Sequence, residues 1–246
     1  MSTEVVTYES RDGVAIIALN RPEKRNAINN DMATQLRAAL ERLNEGEDRV
    51  GILTHAGAHF TGGADIKGPP EDFPSCVPNI GVPMQKPLIA AVGGWVVGGG
   101  MVILQMCDLC VAADDAKFMF PEAKVGFTGA AIAGLAARIP HKIAMELMLV
   151  GNAMSAERMY QAGLINQLTK PGAQLDAALI YARQLADNAP MVLSVLRDYV
   201  GRIIPKGPSE LAAQGRVTIQ RIRQSADAKE GIASFKEKRK PTFRGK

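Results

Sequence analysis

Two glycine clusters and one carboxylate carry the chemistry available to this sequence. The first cluster lies in Phe60-Thr-Gly-Gly-Ala-Asp-Ile-Lys67. Two glycines ahead of Ala64 let the backbone turn sharply and present an amide outward. The second is Gly98-Gly99-Gly100, which leads into the apolar run Met101, Val102, Ile103, Leu104 and Met106. Glycines at a helix start leave backbone N–H groups uncovered and bring the positive end of the helix dipole toward a ligand. No phosphate loop is spelled, since GxxxxGK[ST] and GxGxxG are both absent. The carboxylate is Glu122, directly after Pro121. Proline followed by an acid also suits a plain helix start.

Other chemistry-bearing residues read as structural. Cys107 and Cys110 form a CxxC without a second pair, and a zinc site needs four ligands, so they are expected to be core thiols. His55 and His59 precede Phe60 in what reads as a solvated loop. Leu88 to Cys107 is twenty residues without a charge, long enough to span a bilayer, and contains a GxxxG. Five of those twenty are glycine, which makes a poor spanning helix, so a soluble core is the reading.

The elements that must position these groups alternate between strands and helices. Glu4–Tyr8 and Val14–Leu19 read as strands around Asp12-Gly13, and RPEKRNA after them as a basic loop. Asp31–Asn44 carries Met32, Leu36, Leu40 and Leu43 on one helical stripe behind an Asn/Asp cap. Val50–Thr54 is the next strand, so a βαβ-like series begins. The Pro- and Gly-rich segment Gly68–Gln85 reads as an irregular or mobile loop. Leu88–Val92, Leu109–Ala113, Lys117–Phe120 and Leu164–Thr169 read as strands. Helices are expected over Gly129–Ile139, His141–Val150 and Ser155–Ala162, then almost continuously from Gln174 to Phe235.

A chain of 246 residues and 26.3 kDa can bury one sizeable core. The expected division is a core over 1–189 and a helical region with a basic tail over 190–246. Three cysteines, and an N-terminus without an apolar signal region, point to a reducing, cytoplasmic setting. The net charge of +4 is uneven: residues 236–246 hold six basic residues and one acid, leaving the rest of the chain at −1. Basicity confined to a tail argues against a nucleic-acid groove.

Five ordered blocks carry a resemblance: NRPEKRNAIN, FTGGADIK, GGG with the following CD and PEAKVG, SAERMYQAGLIN, and EGIASFKEKRKPTF. Together they resemble the enoyl-CoA hydratase/isomerase, or crotonase, family over nearly the whole chain. The resemblance implies an α/β fold, a spiral of ββα units with a C-terminal helical region that makes subunit contacts in a homotrimer or dimer of trimers. It implies an acyl-CoA thioester substrate, whose oxygen is held by the Ala64 and Gly99 amides while Glu122 acts as acid/base. Lys24, Arg25, Ala27, Gly62, Ala64, Asp65, Ile66, Lys67, Lys236 and Lys238 are the positions implied to contact coenzyme A. Coenzyme A is then part of the substrate; no separate cofactor and no metal is expected. Hydratases of the family carry a second glutamate two residues after the last glycine of GGG, where this chain has Val102. The segment FTGAAIAGLAARI and the shortened Gly68–Gln85 loop also depart from the pattern. With one glutamate, Δ3–Δ2 double-bond isomerisation is expected slightly ahead of hydration. A non-catalytic CoA-ester or RNA-binding module is the alternative of another class.

Overall fold

The computed structural model describes residues 4–126 and 131–245. Its main sheet has six strands: β1 (Val6–Arg11), β2 (Val14–Leu19), β3 (Val50–His55), β4 (Leu88–Val92), β6 (Leu109–Ala113) and β9 (Gln167–Thr169), in the order β1-β2-β3-β4-β6-β9. β1 pairs antiparallel with β2, and every other pairing in this sheet is parallel. A second sheet joins β5 (Trp95–Val97), β7 (Lys117–Met119) and β8 (Met154–Ser155).

The path between the two sheets repeats. β4 passes through Gly93-Gly94 into β5 and then the short helix α2 (Gly99–Leu104). β6 passes through Asp114-Asp115 into β7 and then the single turn α3 (Glu122–Val125). Earlier turns do the same with isolated bridges: Ile28 pairs with Ala64 and Thr61 with Val96, both parallel. Residues 28, 64, 96 and 118 therefore lie in successive layers, and the chain winds as stacked ββα turns. That is the spiral expected from the sequence.

Both faces of the main sheet are covered, which is why its parallel strands are apolar at nearly every position. One face presents Val14, Ile16, Val50, Ile52, Ile89, Ala91 and Val111 to Ala177, Ala178, Leu179 and Ala182 of α6 (Gln174–Asp187). The other presents Ala15, Ile17, Leu19, Leu53, Ala90 and Val92 to α1 (Asn30–Glu45) and the layers behind it. α1 buries Met32, Leu36, Leu40 and Leu43, and the Asn29 side chain caps it by accepting from the Met32 N–H at 3.0 Å. The remaining helices are α4 (His141–Met145), α5 (Ala156–Gln161), α7 (Pro190–Ile203), α8 (Pro208–Gln224) and α9 (Ala226–Glu237). No described helix is long and apolar enough to cross a membrane.

Four expectations change. The Gly68–Gln85 segment is not loose: it holds a 3-10 turn at Phe73–Cys76 and buries Cys76, Val77, Ile80 and Val82. Between Leu164 and Thr169, only Gln167–Thr169 is strand. The helix expected over Gly129–Ile139 begins outside the described residues, and its described part, Ala131–Ala137, is a 3-10 stretch. The helix from His141 changes to π winding over Glu146–Val150.

Ile17 is fully buried on the α1 side of β2, whereas Ile180 on α6 is 57% exposed. Ile17→Ala is expected to cost about 2–5 kcal/mol in urea unfolding, and Ile180→Ala to stay within about 0.5 kcal/mol. Equal effects would contradict this placement of the core.

Candidate active site

The site is assembled where two turns of the spiral touch. Thr61 donates its N–H to the Trp95 carbonyl at 3.0 Å, and Val97 donates to the Thr61 carbonyl at 3.1 Å. The chain then diverges into two glycine turns that face each other. A side chain on Gly63, at φ +92°, would stand 3.1 Å from the Val97 carbonyl oxygen and 3.8 Å from the Gly98 α-carbon. Gly98 itself sits at φ +52°, ψ −111°, a conformation that favours glycine. Backbone thus approaches backbone with no side chain between.

Each turn leaves one amide unused. The bridge between Ile28 and Ala64 is made by Ile28 N–H donating to the Gly63 carbonyl at 2.8 Å and Asp65 N–H donating to the Ile28 carbonyl at 2.9 Å. Ala64 contributes neither group, so its N–H points to the opposite edge. Gly99 is the first residue of α2, where N–H groups have no partner inside the helix. The two turns therefore offer neighbouring backbone donors of the kind that stabilise a developing oxyanion.

Glu122 closes the third side. Its Oε1 lies 2.7 Å from where a side-chain carbon on Gly98 would stand. Only the absence of that carbon lets the carboxyl in. Oε2 is buried without a hydrogen-bond partner, and burial raises the Glu122 pKa from 4.5 to about 7, partly opposed by its own amide. Val102, 5% exposed on α2, is apolar.

The basic loop is more than a turn. Asn26 is fully buried, donates to the Ala56 and His59 carbonyls at 3.0 and 2.8 Å, and accepts from the Arg21 N–H at 2.7 Å. Thr61 Oγ1 donates to the Asn26 carbonyl at 2.6 Å and accepts from the Gly63 N–H at 3.1 Å. Arg21 pairs with Asp65 at 2.7 Å, which holds that carboxyl below its ordinary pKa. Arg21, Asn26 and Thr61 therefore lock the Ala64 turn, and none of them was singled out from sequence. Asn26 does carry a signal, as an asparagine at φ +52° beside Arg25 at φ +51°.

Lys24, Arg25, Gly62, Ala64, Ile66 and Lys67 are exposed around this corner, and Ala27 is half-buried. Asp65 belongs to it through its backbone, its carboxyl being held by Arg21. Lys236 and Lys238 are exposed at the end of α9, a helix packed against α8, and no described hydrogen bond or ion pair connects them to the corner. Part of the tail is tied to α9. Arg239 pairs with Glu230 at 2.6 Å, and the Arg244 and Gly245 N–H groups donate to Asp227 at 2.7 Å. His55 departs from its solvated reading: both ring nitrogens are buried without partners, its ring meets Phe60 edge-on at 6.1 Å, and burial lowers its pKa. Cys110 is buried and burial raises its pKa, as a core thiol requires. No group of three potential metal ligands occurs among the described residues. A cleft of about 770 Å3 lies elsewhere, between Leu104–Cys110 and α7, and includes none of Ala64, Gly99 or Glu122.

Burial of Glu122 favours its protonated form in the folded protein. Its contribution to stability is present below about pH 4.5 and lost as pH rises through about 7. Glu122→Gln, neutral at every pH, is expected to match the parent at pH 4.5. By pH 8 it should exceed the parent by on the order of 1 kcal/mol, after allowing for solvent screening of the half-exposed carboxyl. Chemical denaturation across this range checks it, and a pH-independent difference would contradict the assignment.

The sequence profile for "Enoyl-CoA hydratase/isomerase" matches residues 9–75 and 80–246. The (E)-benzylidenesuccinyl-CoA hydratase of Thauera aromatica is 34% identical over 98% of this chain and 99% of its own length. The 2,3-dehydroadipyl-CoA hydratase of Escherichia coli is 30% identical over the full length of both. A crystal structure of carnitinyl-CoA hydratase from Mycobacterium avium superposes with a TM-score of 0.77 at 30% identity, covering all of both chains. An enoyl-CoA hydratase from Mycobacterium tuberculosis does so with 0.76 at 34% identity, covering 99% of this chain and 100% of its own. With matching sequence blocks, a matching fold and full-length coverage, this chain belongs to the enoyl-CoA hydratase/isomerase (crotonase) family.

Proposed function

We propose that the protein adds water to 2-enoyl-CoA thioesters and removes it from 3-hydroxyacyl-CoA thioesters. The Ala64 and Gly99 N–H groups receive the thioester oxygen, and one such donor is worth on the order of 2.7–4 kcal/mol in comparable sites. Glu122 moves the protons, while the CoA moiety runs over the exposed rim that includes Lys24, Arg25 and Lys67. The observation that carries this reading is the position of Glu122, whose Oε1 reaches the Gly98 turn beside the two amides while burial raises its pKa toward neutrality. One carboxyl so placed can take a proton from the water attacking C3 and give one to C2. The similar proteins, named as hydratases of several CoA esters, support the same choice.

Isomerisation, expected ahead of hydration from the sequence, becomes the second reading, and Val102 favours it. The buried valine leaves a water with one carboxylate to activate it. Moving a double bond needs only one base, removing a proton at C2 and returning it at C4. The reading includes no cofactor or metal beyond the substrate's own CoA, and a cytoplasmic homotrimer or dimer of trimers. The exposed apolar side chains of α7, with Met191 and Ile203 each 80% exposed, support assembly. In such an assembly Lys236 and Lys238 would reach a neighbouring subunit's CoA.

Turnover of 2-enoyl-, 3-enoyl- and 3-hydroxyacyl-CoA esters separates the two reactions. Hydration is expected to exceed isomerisation, and the reverse would promote the second reading. Glu122→Gln is expected to lower kcat by at least about 10²-fold with CoA-ester binding retained. Near-normal turnover in that variant would remove Glu122 from the mechanism. Val102→Glu is expected to raise hydration relative to isomerisation at a cost of a few kcal/mol in stability, because two close carboxyls must split their pKa values.

A further inference from the structure

We propose that Phe73 is the specificity-determining residue of this site and selects short acyl groups over long ones. The inference rests on reading the Ala64, Gly99 and Glu122 corner as a thioester site. Two side chains converge on the Gly98-Gly99 turn. Glu122 occupies the space that a side chain on Gly98 would take, and the Phe73 ring occupies the space that one on Gly99 would take. Ring atoms Cζ and Cε2 lie 2.8 and 2.9 Å from that position on Gly99. On that reading, an acyl group bound between the Gly99 amide and Glu122 lies beside the ring, which leaves no room against Gly99 for a long chain to run that way.

The ring stands on a held turn. Asp72 accepts from the Ser75 N–H at 3.1 Å and from Ser75 Oγ at 2.6 Å through its carbonyl, and the Phe73 carbonyl accepts from Cys76 Sγ at 3.2 Å. The Glu71 N–H donates to Asn30 Oδ1 at 2.8 Å, tying the segment to the first turn of α1. Behind the ring, Cys76, Val77, Ile80 and Val82 are buried in the same core that Phe73 packs against.

Saturated acyl-CoA esters test the inference without any turnover. Calorimetry is expected to show the parent binding butyryl-CoA at least about 10-fold more tightly than decanoyl-CoA, since misfit of single methylenes is worth about 10–200-fold. Phe73→Ala is expected to erase or invert that ratio. Phe73→Trp, which does not depend on a cavity being tolerated, is expected to weaken hexanoyl-CoA at least about 10-fold more than butyryl-CoA. An unchanged butyryl-to-decanoyl ratio in Phe73→Ala, or equal binding of both esters by the parent, would overturn the proposal while leaving ester binding intact. Tight binding of cinnamoyl-CoA that is lost in Phe73→Ala would overturn it too, in favour of a stacking surface for aryl groups. If no ester binds to the parent, the thioester reading itself falls, and the gate with it.

Discussion

Everything at this corner depends on one close approach, backbone against backbone, between Gly63 and the Val97-Gly98 turn. A Cβ on Gly63 would press on the Val97 carbonyl, and one on Gly98 would collide with the Glu122 carboxyl. The approach is enforced by the Thr61, Trp95 and Val97 hydrogen bonds that join successive layers of the spiral. Strand pairing therefore does more than stabilise the fold. It sets two free amides and one carboxyl around a single point, and backbone donors fixed this way need no reorganisation when charge develops on a substrate.

Electrostatics follow from the same packing. Around the corner, Arg21 engages the carboxyl of Asp65. Among the described residues no cation pairs with Glu122, and no donor meets its buried Oε2. Desolvation then dominates and carries its pKa toward neutrality, the condition that acid–base work at physiological pH requires. Lys24, Arg25 and Lys67 on the rim are exposed, and exposed cations of this kind favour anions nearby.

β2, β4 and β6 were legible because they are short, continuous apolar runs, and α1 because its apolar stripe repeats at helical spacing behind an Asn cap. Ala64, Gly99 and Glu122 were legible through a family resemblance; their own residue types are equally those of ordinary turns. Phe73 was not, because prolines and glycines on either side hide a segment whose side chains are core. The partner of Asp65 was not either, since Arg21 is 44 positions away and only the spiral brings them together. The contacts of the tail were not legible, because Asp227 and Glu230, which hold the Arg244 N–H and the Arg239 guanidinium, lie nine to seventeen positions earlier on α9.

Dehydration of a 3-hydroxyacyl-CoA and isomerisation of a 3-enoyl-CoA share one event, removal of a proton from C2 of a thioester whose oxygen the two amides would hold, and hydration runs that event in reverse. Solvent deuterium exchange at C2 of butyryl-CoA, followed by NMR, measures that event alone and needs no double bond in the substrate. Butyryl-CoA is expected to exchange in the presence of the protein and to stop exchanging with Glu122→Gln, although the variant still binds the ester. Exchange that persists unchanged in Glu122→Gln, or is absent with a parent that binds butyryl-CoA, would contradict enolate formation by Glu122 at the Ala64 and Gly99 amides.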